Sequence, residues 1–223
     1  MYVGRIMRTD LITVSPSTSL EEANILIKKK KIDHLLVVND SGKLLGILSD
    51  RDLKQYWASP ATTLSNHELN YLLQQVIVEM IMIKTVITIS PDTTAERAAY
   101  IMQEKDINAL PVMENDKLVG IITSVDVMGV LLSAIGISDD SVRLGVMVKD
   151  SIGSIATVAG LLQKEQINIQ SLFSWPEKKY PGVYQLVIRI AKEECEKALN
   201  ALTDNGYKVI SKYEKDISPF LPA

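Results

Sequence analysis

The feature that most constrains how this chain can fold is an internal repeat with a spacing of about 75 residues. Ile6-Met7 returns as Ile81-Met82, and Ile12-Thr13-Val14-Ser15-Pro16 returns as Ile87-Thr88-Ile89-Ser90-Pro91. Thr18, Glu21 and Ala23 are matched by Thr93, Glu96 and Ala98, and Ile32, Leu35 and Val37 by Ile107, Leu110 and Val112. The turn Asn39-Asp40-Ser41-Gly42-Lys43 shortens by one residue to Glu114-Asn115-Asp116-Lys117. The unit closes on Gly46-Ile47-Leu48-Ser49-Asp50-Arg51-Asp52 and Gly120-Ile121-Ile122-Thr123-Ser124-Val125-Asp126. Whatever the first copy folds into, the second must fold into nearly the same thing.

Each copy reads as β-α-β-β-α. A β-branched run ends at Ser-Pro; Thr18 with Glu21, and Thr93 with Glu96, form the pattern of a capping box opening a helix. Lys28 to Lys31 fall at the end of that helix, where the macrodipole favours cations, so they read as a solvated last turn rather than a phosphate site. Leu35 to Val38 and Leu44 to Leu48 flank a turn as a hairpin, and a second helix begins near Ser49. Between the copies, Ser65-Asn66-His67-Glu68 could cap a helix from Leu69 to Ile77.

Beyond the polar break Gly136 to Ser141 the pattern changes. Val142 to Val148 alternates as a strand, Asp150 to Gly153 turns, and Ile155, Val158, Ala159 and Leu162 follow at helical spacing. Ile167-Asn168-Ile169 enters a second strand and Val183 to Ala191 forms a third. A helix over Glu193 to Asp204 and a strand over Tyr207 to Ile210 complete β-α-β-β-α-β.

The paired units, with Ile-Thr-Val/Ile-Ser-Pro, Leu110-Pro111-Val112 and Gly-Ile-x-(Ser/Thr)-x-x-Asp, resemble a tandem of cystathionine-β-synthase (CBS) domains, a Bateman module. The C-terminal unit, with Val-Lys-Asp-x-x-Gly, a helix and then Asn168, resembles an ACT domain. The combination resembles the AcuB family of acetoin-utilisation accessory proteins. The expected fold class is α/β (α+β): a pseudo-symmetric CBS pair followed by a ferredoxin-like ACT unit. The expected boundaries are 1–56 for the first CBS unit, 57–76 for an insertion and 77–135 for the second CBS unit. A linker follows at 136–141, then the ACT unit at 142–213 and a tail at 214–223.

The CBS resemblance implies an adenine nucleotide as a regulatory ligand, with Asp52 and Asp126 accepting from ribose hydroxyls and Ser49 and Thr123 facing phosphate. A carboxylate can take two hydroxyl donors, and a helix N-terminus favours an anion. It further implies Thr13 and Thr88 beside the base, with Ile32 to Leu35 and Ile107 to Pro111 as walls. Asp33, His34 and Arg51 thus join the first site, and Asn108, Ala109, Leu110 and Pro111 the second. Ser/Thr-x-x-Asp at a helix start is equally the pattern of a plain cap, and both readings stand at this point. The ACT resemblance implies an amino acid or small organic acid at Asp150, Gly153 and Asn168. Glycine permits close approach and an amide both donates and accepts, although the same residues also serve as ordinary turn formers.

Lys and Arg total 24 against 27 Asp and Glu, a formal charge of −3, which gives no electrostatic reason to expect nucleic acid. One cysteine, Cys195, excludes an internal disulfide, and the histidines His34 and His67 lack a metal-ligand spacing. No apolar run is long enough to suggest a membrane span, and the expected location is the cytoplasm. Without a nucleophile elbow or phosphate loop, no catalytic residue is expected and no cofactor is required. The sequence is therefore read as a non-catalytic sensor, a homodimer that acts on another, unidentified protein. Alternatives are a dimerisation scaffold that binds no nucleotide and an ATP-using enzyme.

Overall fold

The computed structural model describes residues 1–56 and 75–222. The helix expected over Leu69 to Ile77 lies largely outside these residues. The chain divides into two compact units, Met1–Val130 and Leu131–Ala223. The first holds both repeats up to the middle of a helix that ends at Ile135.

In the first repeat β1 (Thr13–Val14) pairs in parallel with β2 (His34–Val38), which pairs antiparallel with β3 (Leu44–Ser49). Helix α1 (Leu20–Lys30) puts Leu20, Ala23 and Ile27 on one face, against Leu35, Val37 and Leu48 of the sheet and Leu53 of α2 (Asp50–Tyr56). The cap of α1 is one residue later than expected: Ser19 and Glu22 form the reciprocal box. Thr18 is committed elsewhere, its N–H closing a turn on Ser15 and its carbonyl accepting from Val78.

The second repeat places α3 (Val78–Ile81), α4 (Ala95–Lys105), the hairpin β4 (Ala109–Glu114) and β5 (Lys117–Thr123), and α5 (Ser124–Ile135) in the same order. Thr94, not Thr93, caps α4, and Arg97 stands where a reciprocating acid would be needed. The strand expected over Ile87 to Ile89 is reduced to one parallel bridge, Ile89 to Val112.

The leading segments of the two repeats are exchanged. Val3 and Gly4 donate backbone hydrogen bonds to Thr93 and Pro91 of the second repeat, and Val78 and Glu79 donate to Thr18 and Pro16 of the first. Arg8 pairs with Ile121, and Ile83 pairs with Ile47. Gly120 and Gly46 make room for Met7 and Met82 respectively, since a Cβ at either glycine would collide with the sulfur and crowd a backbone carbonyl. Val78 is fully buried within the first repeat's core. Each repeat thus takes its first strip from the other.

In the second unit β6 (Ser141–Lys149), α6 (Ser154–Lys164), β7 (Ser171–Pro176), β8 (Val183–Ala191), α7 (Cys195–Thr203) and β9 (Val209–Ile210) form a ferredoxin-like β-α-β-β-α-β unit. Its antiparallel sheet has the order β7-β8-β6-β9. Leu144, Val146 and Val148 of β6 and Leu186, Ile188 and Ile190 of β8 pack against Val158, Leu162, Ala198 and Leu202 of the helices. Ile167-Asn168-Ile169 does not enter the second strand, which begins at Ser171. Gln166 adopts φ 58 and Ile167 N–H returns to Leu162, so these residues close the helix instead. The last helix starts at Cys195 behind a 3-10 turn over Lys192–Glu194.

Candidate functional site

The two Ser/Thr-x-x-Asp corners sit where a strand passes directly into a helix. At the first, Asp52 Oδ2 accepts from Ser49 N–H at 2.8 Å and from its hydroxyl at 2.6 Å, while Asp52 N–H donates to Ser49 Oγ at 3.2 Å. The second repeats this: Asp126 Oδ2 accepts from Thr123 N–H at 2.9 Å and Oγ1 at 2.6 Å, and Asp126 N–H donates to Thr123 Oγ1 at 3.3 Å. Both corners are thus closed capping boxes, in which one carboxylate oxygen is used. The other oxygen distinguishes them. Asp126 Oδ1 accepts from Arg8 Nε at 3.2 Å and Nη2 at 3.1 Å, whereas Asp52 Oδ1 has no partner among the described residues. Burial works to raise the Asp126 carboxyl, but the Thr123 hydroxyl and N–H and the Arg8 guanidinium outweigh it and hold the group below the usual carboxylate range.

Beside the corners lie two cavities of about 580 Å³ each, within the size range of small-ligand sites. One joins the approach to β1 (Arg8, Asp10, Ile12) and the approach to β2 (Lys31, Asp33, His34) with Thr123 of the second repeat. The other joins Ile83, Asp106, Asn108 and Ala109 of the second repeat with Ser49 and Asp52 of the first. Exchange of the leading segments dictates this crossing. The sequence reading grouped Thr88 and Asn108 to Pro111 with Thr123 and Asp126; the structure brings Asn108 and Ala109 beside Ser49 and Asp52 as well as Thr123.

Of the remaining expected residues, Arg51 lines the second cavity, and Asp33 and His34 line both. Thr13 and Thr88 are exposed and line neither cavity, and Leu110 and Pro111 are buried in β4. Periodicity did not single out Arg8, which stands one residue after the repeated Ile-Met pair. Lys30 and Lys31 form the exposed helix end expected of them and also border the first cavity. His34 faces Ser49 across the β2 and β3 pairing, and its Nδ1 is buried without a partner among the described residues. Burial pushes its pKa down, against the opposing carboxylates of Asp33 and Asp52.

In the second unit, Gly153 adopts φ 90 at the start of α6, and Asp150 N–H donates to Gly182 at 2.8 Å. Asn168 lines a separate groove with Ala156, Ala159, Gly160 and Gln163, to which Asp150 and Gly153 do not contribute. No cluster of metal-ligating side chains occurs among the described residues. No helix among them is long and apolar enough to cross a membrane.

The family model of the CBS domain matches residues 3–59 and 78–133, together just over half of the chain. The chain belongs to the CBS-domain family. Its CBS pair is 35% identical over 127 residues to homoserine O-acetyltransferase of Methanohalobium evestigatum, covering 56% of this chain and 23% of that protein. The chain therefore spans less than a quarter of that curated relative. Among solved structures, the CBS pair of protein MJ0100, in complex with 5'-methylthioadenosine and S-adenosyl-L-methionine, is 27% identical with a TM-score of 0.50. That likeness covers 60% of this chain and 97% of the other. A Vibrio cholerae chain assigned to acetoin utilization (AcuB) is 28% identical with a TM-score of 0.51, over 61% of this chain and 93% of that one.

Proposed function

We propose that this protein is a non-catalytic regulatory sensor whose CBS pair binds an adenosine ligand, AMP, ADP, ATP or a related compound, at the crossed cavities. The observation that carries the reading is the repeated corner: Ser49 and Asp52 line a cavity of about 580 Å³, and Asp52 Oδ1 has no partner there among the described residues. The adenosine compounds held by the CBS pair of MJ0100 support the ligand class. The C-terminal unit is read as an ACT domain that takes an amino acid or small organic acid near Asp150, Gly153 or Asn168 and joins two copies into a homodimer. Its ferredoxin-like topology supports that reading. The protein works in the cytoplasm and acts on a second protein whose partner surface reads the ligand-bound state. The likeness to the Vibrio cholerae chain supports a link to acetoin utilisation.

A second reading, a CBS scaffold without nucleotide, draws on the closed capping boxes, which account for both Ser/Thr-x-x-Asp motifs without any ligand. A thermal-shift series separates the two. Adenosine, AMP, ATP and S-adenosylmethionine are tested on the wild type, Asp52→Ala and Asp126→Ala. A ligand at a hundred times its dissociation constant adds about 2.7 kcal/mol and moves the midpoint by several degrees. Shifts in the wild type that are lost in either variant uphold the sensor; no shift with any compound upholds the scaffold.

A further inference from the structure

The strips that cross between the repeats sit in matched registers. Arg8 exchanges backbone hydrogen bonds with Ile121 at 2.9 and 3.0 Å, and Ile83 exchanges the equivalent pair with Ile47 at 2.9 and 3.1 Å. Arg8 therefore stands to the Thr123 corner as Ile83 stands to the Ser49 corner, and each lines the cavity on its own side. Their side chains make the corners different. Asp126 accepts from Thr123 N–H and Oγ1 on one oxygen and from Arg8 Nε and Nη2 on the other. A carboxylate offers about four acceptor sites, so Asp126 is saturated. Asp126 lines neither cavity. Asp52 lines its own, and its Oδ1 has no partner among the described residues, since an isoleucine at position 83 has no donor to give it.

We infer that Arg8 decides which cavity reads a ribose. At Asp52 the hydroxyls of a ribonucleoside meet a carboxylate oxygen without a partner; at Asp126 they must first displace Arg8. This rests on the adenosine-binding reading above and adds that the Asp52 cavity selects ribonucleosides, while the Asp126 cavity is nearly indifferent to the hydroxyls of the sugar. Hydrogen bonds from those hydroxyls to a carboxylate favour binding about tenfold. An ion pair as exposed as Arg8 with Asp126 is worth up to about fivefold in an equilibrium, and trading it for the ribose leaves a preference of about twofold.

The test is isothermal titration of the full chain with adenosine and 2',3'-dideoxyadenosine on the wild type, Arg8→Ile and Ile83→Arg. Both probes are uncharged, so the net charge of either cavity does not enter. Each substitution installs the residue that the other repeat carries at the same backbone pairing, and both positions are exposed. The expected result is one site that prefers adenosine about tenfold in the wild type, two in Arg8→Ile and none in Ile83→Arg, where the preference falls to about twofold. Damage to the fold does not create a selective site, so the gain in Arg8→Ile separates the role of the guanidinium from general destabilisation. If adenosine binds but neither substitution changes the number of selective sites, or the wild type has none or two, the role of Arg8 is overturned while adenosine binding stands. If neither nucleoside binds any of the three chains, the adenosine-binding reading itself fails and this inference with it.

Discussion

Arg8 and Asp126, 118 residues apart in the chain, meet through two hydrogen bonds to a single carboxylate oxygen. The contact exists because the strip carrying Arg8 lies along β5 of the other repeat. Arg8 is largely exposed and Asp126 is not, so water and salt screen the pair from one side. Removing the guanidinium by Arg8→Ala costs less than about 1 kcal/mol of stability, read as a small drop in unfolding midpoint that shrinks at high salt. A midpoint drop of the same size at low and high salt would show that Arg8 holds the strip by packing and not by charge.

Gly120→Ala tests the exchange of leading segments. The added methyl meets the Met7 side chain and the Arg8 carbonyl, and the expected cost is about 1 to 3 kcal/mol in denaturant unfolding. Met7→Ala in the same chain relieves part of the clash, so the double variant is less destabilised than the sum of the singles. Strict additivity would remove the sulfur from the explanation.

His34 makes stability depend on pH. Its folded pKa lies below the unfolded value of about 6.5, so its contribution is fully present above that pH. As the pH falls below about 6.5 the unfolded chain binds the proton first, and stability is lost down to the folded pKa. Replacing it by alanine, the residue that stands at the equivalent Ala109, flattens the unfolding midpoint as the pH falls below about 6.5. Parallel curves for wild type and His34→Ala would refute this assignment.

At Gly153 the predicted effect is conformational. Its φ of +90 is unfavourable for any L side chain, and nothing lies within 4 Å of where a Cβ would stand. Gly153→Ala therefore destabilises the C-terminal unit by about 1 kcal/mol or more through backbone strain alone. A neutral result would mean the turn relaxes out of the left-handed region.

Much of this architecture could be read from residue order. The hairpins, the helices after Ser19 and Thr94, the corner aspartates and the C-terminal topology follow from periodicity and turn chemistry. The crossing of the repeats could not be read that way. Periodicity shows that Met7 and Met82 are equivalent; it does not show which copy each one touches, because contact within a copy and contact between copies leave the same pattern. The grouping of Asn108 with Thr123 and Asp126, and not with Ser49 and Asp52, follows from that ambiguity. Lys31 is the exposed helix end that its sequence implies; that a cavity lies beside it is invisible in the sequence, because a helix end accommodates a cation either way.

The exchange of strips also sets an order of events during synthesis. The first repeat cannot complete its core until Val78 has left the ribosome, and it lacks its edge partner until Ile83 follows. Met1 to Arg8, although made before the second repeat, have no berth until Thr93 and Ile121 exist. A half-length product is therefore an open body with a bare sheet edge and a loose strip, and it can be completed only by a second half. One repeat expressed alone could satisfy both needs with another copy of itself, which is how a duplicated gene can begin as a single-unit dimer and end as one chain.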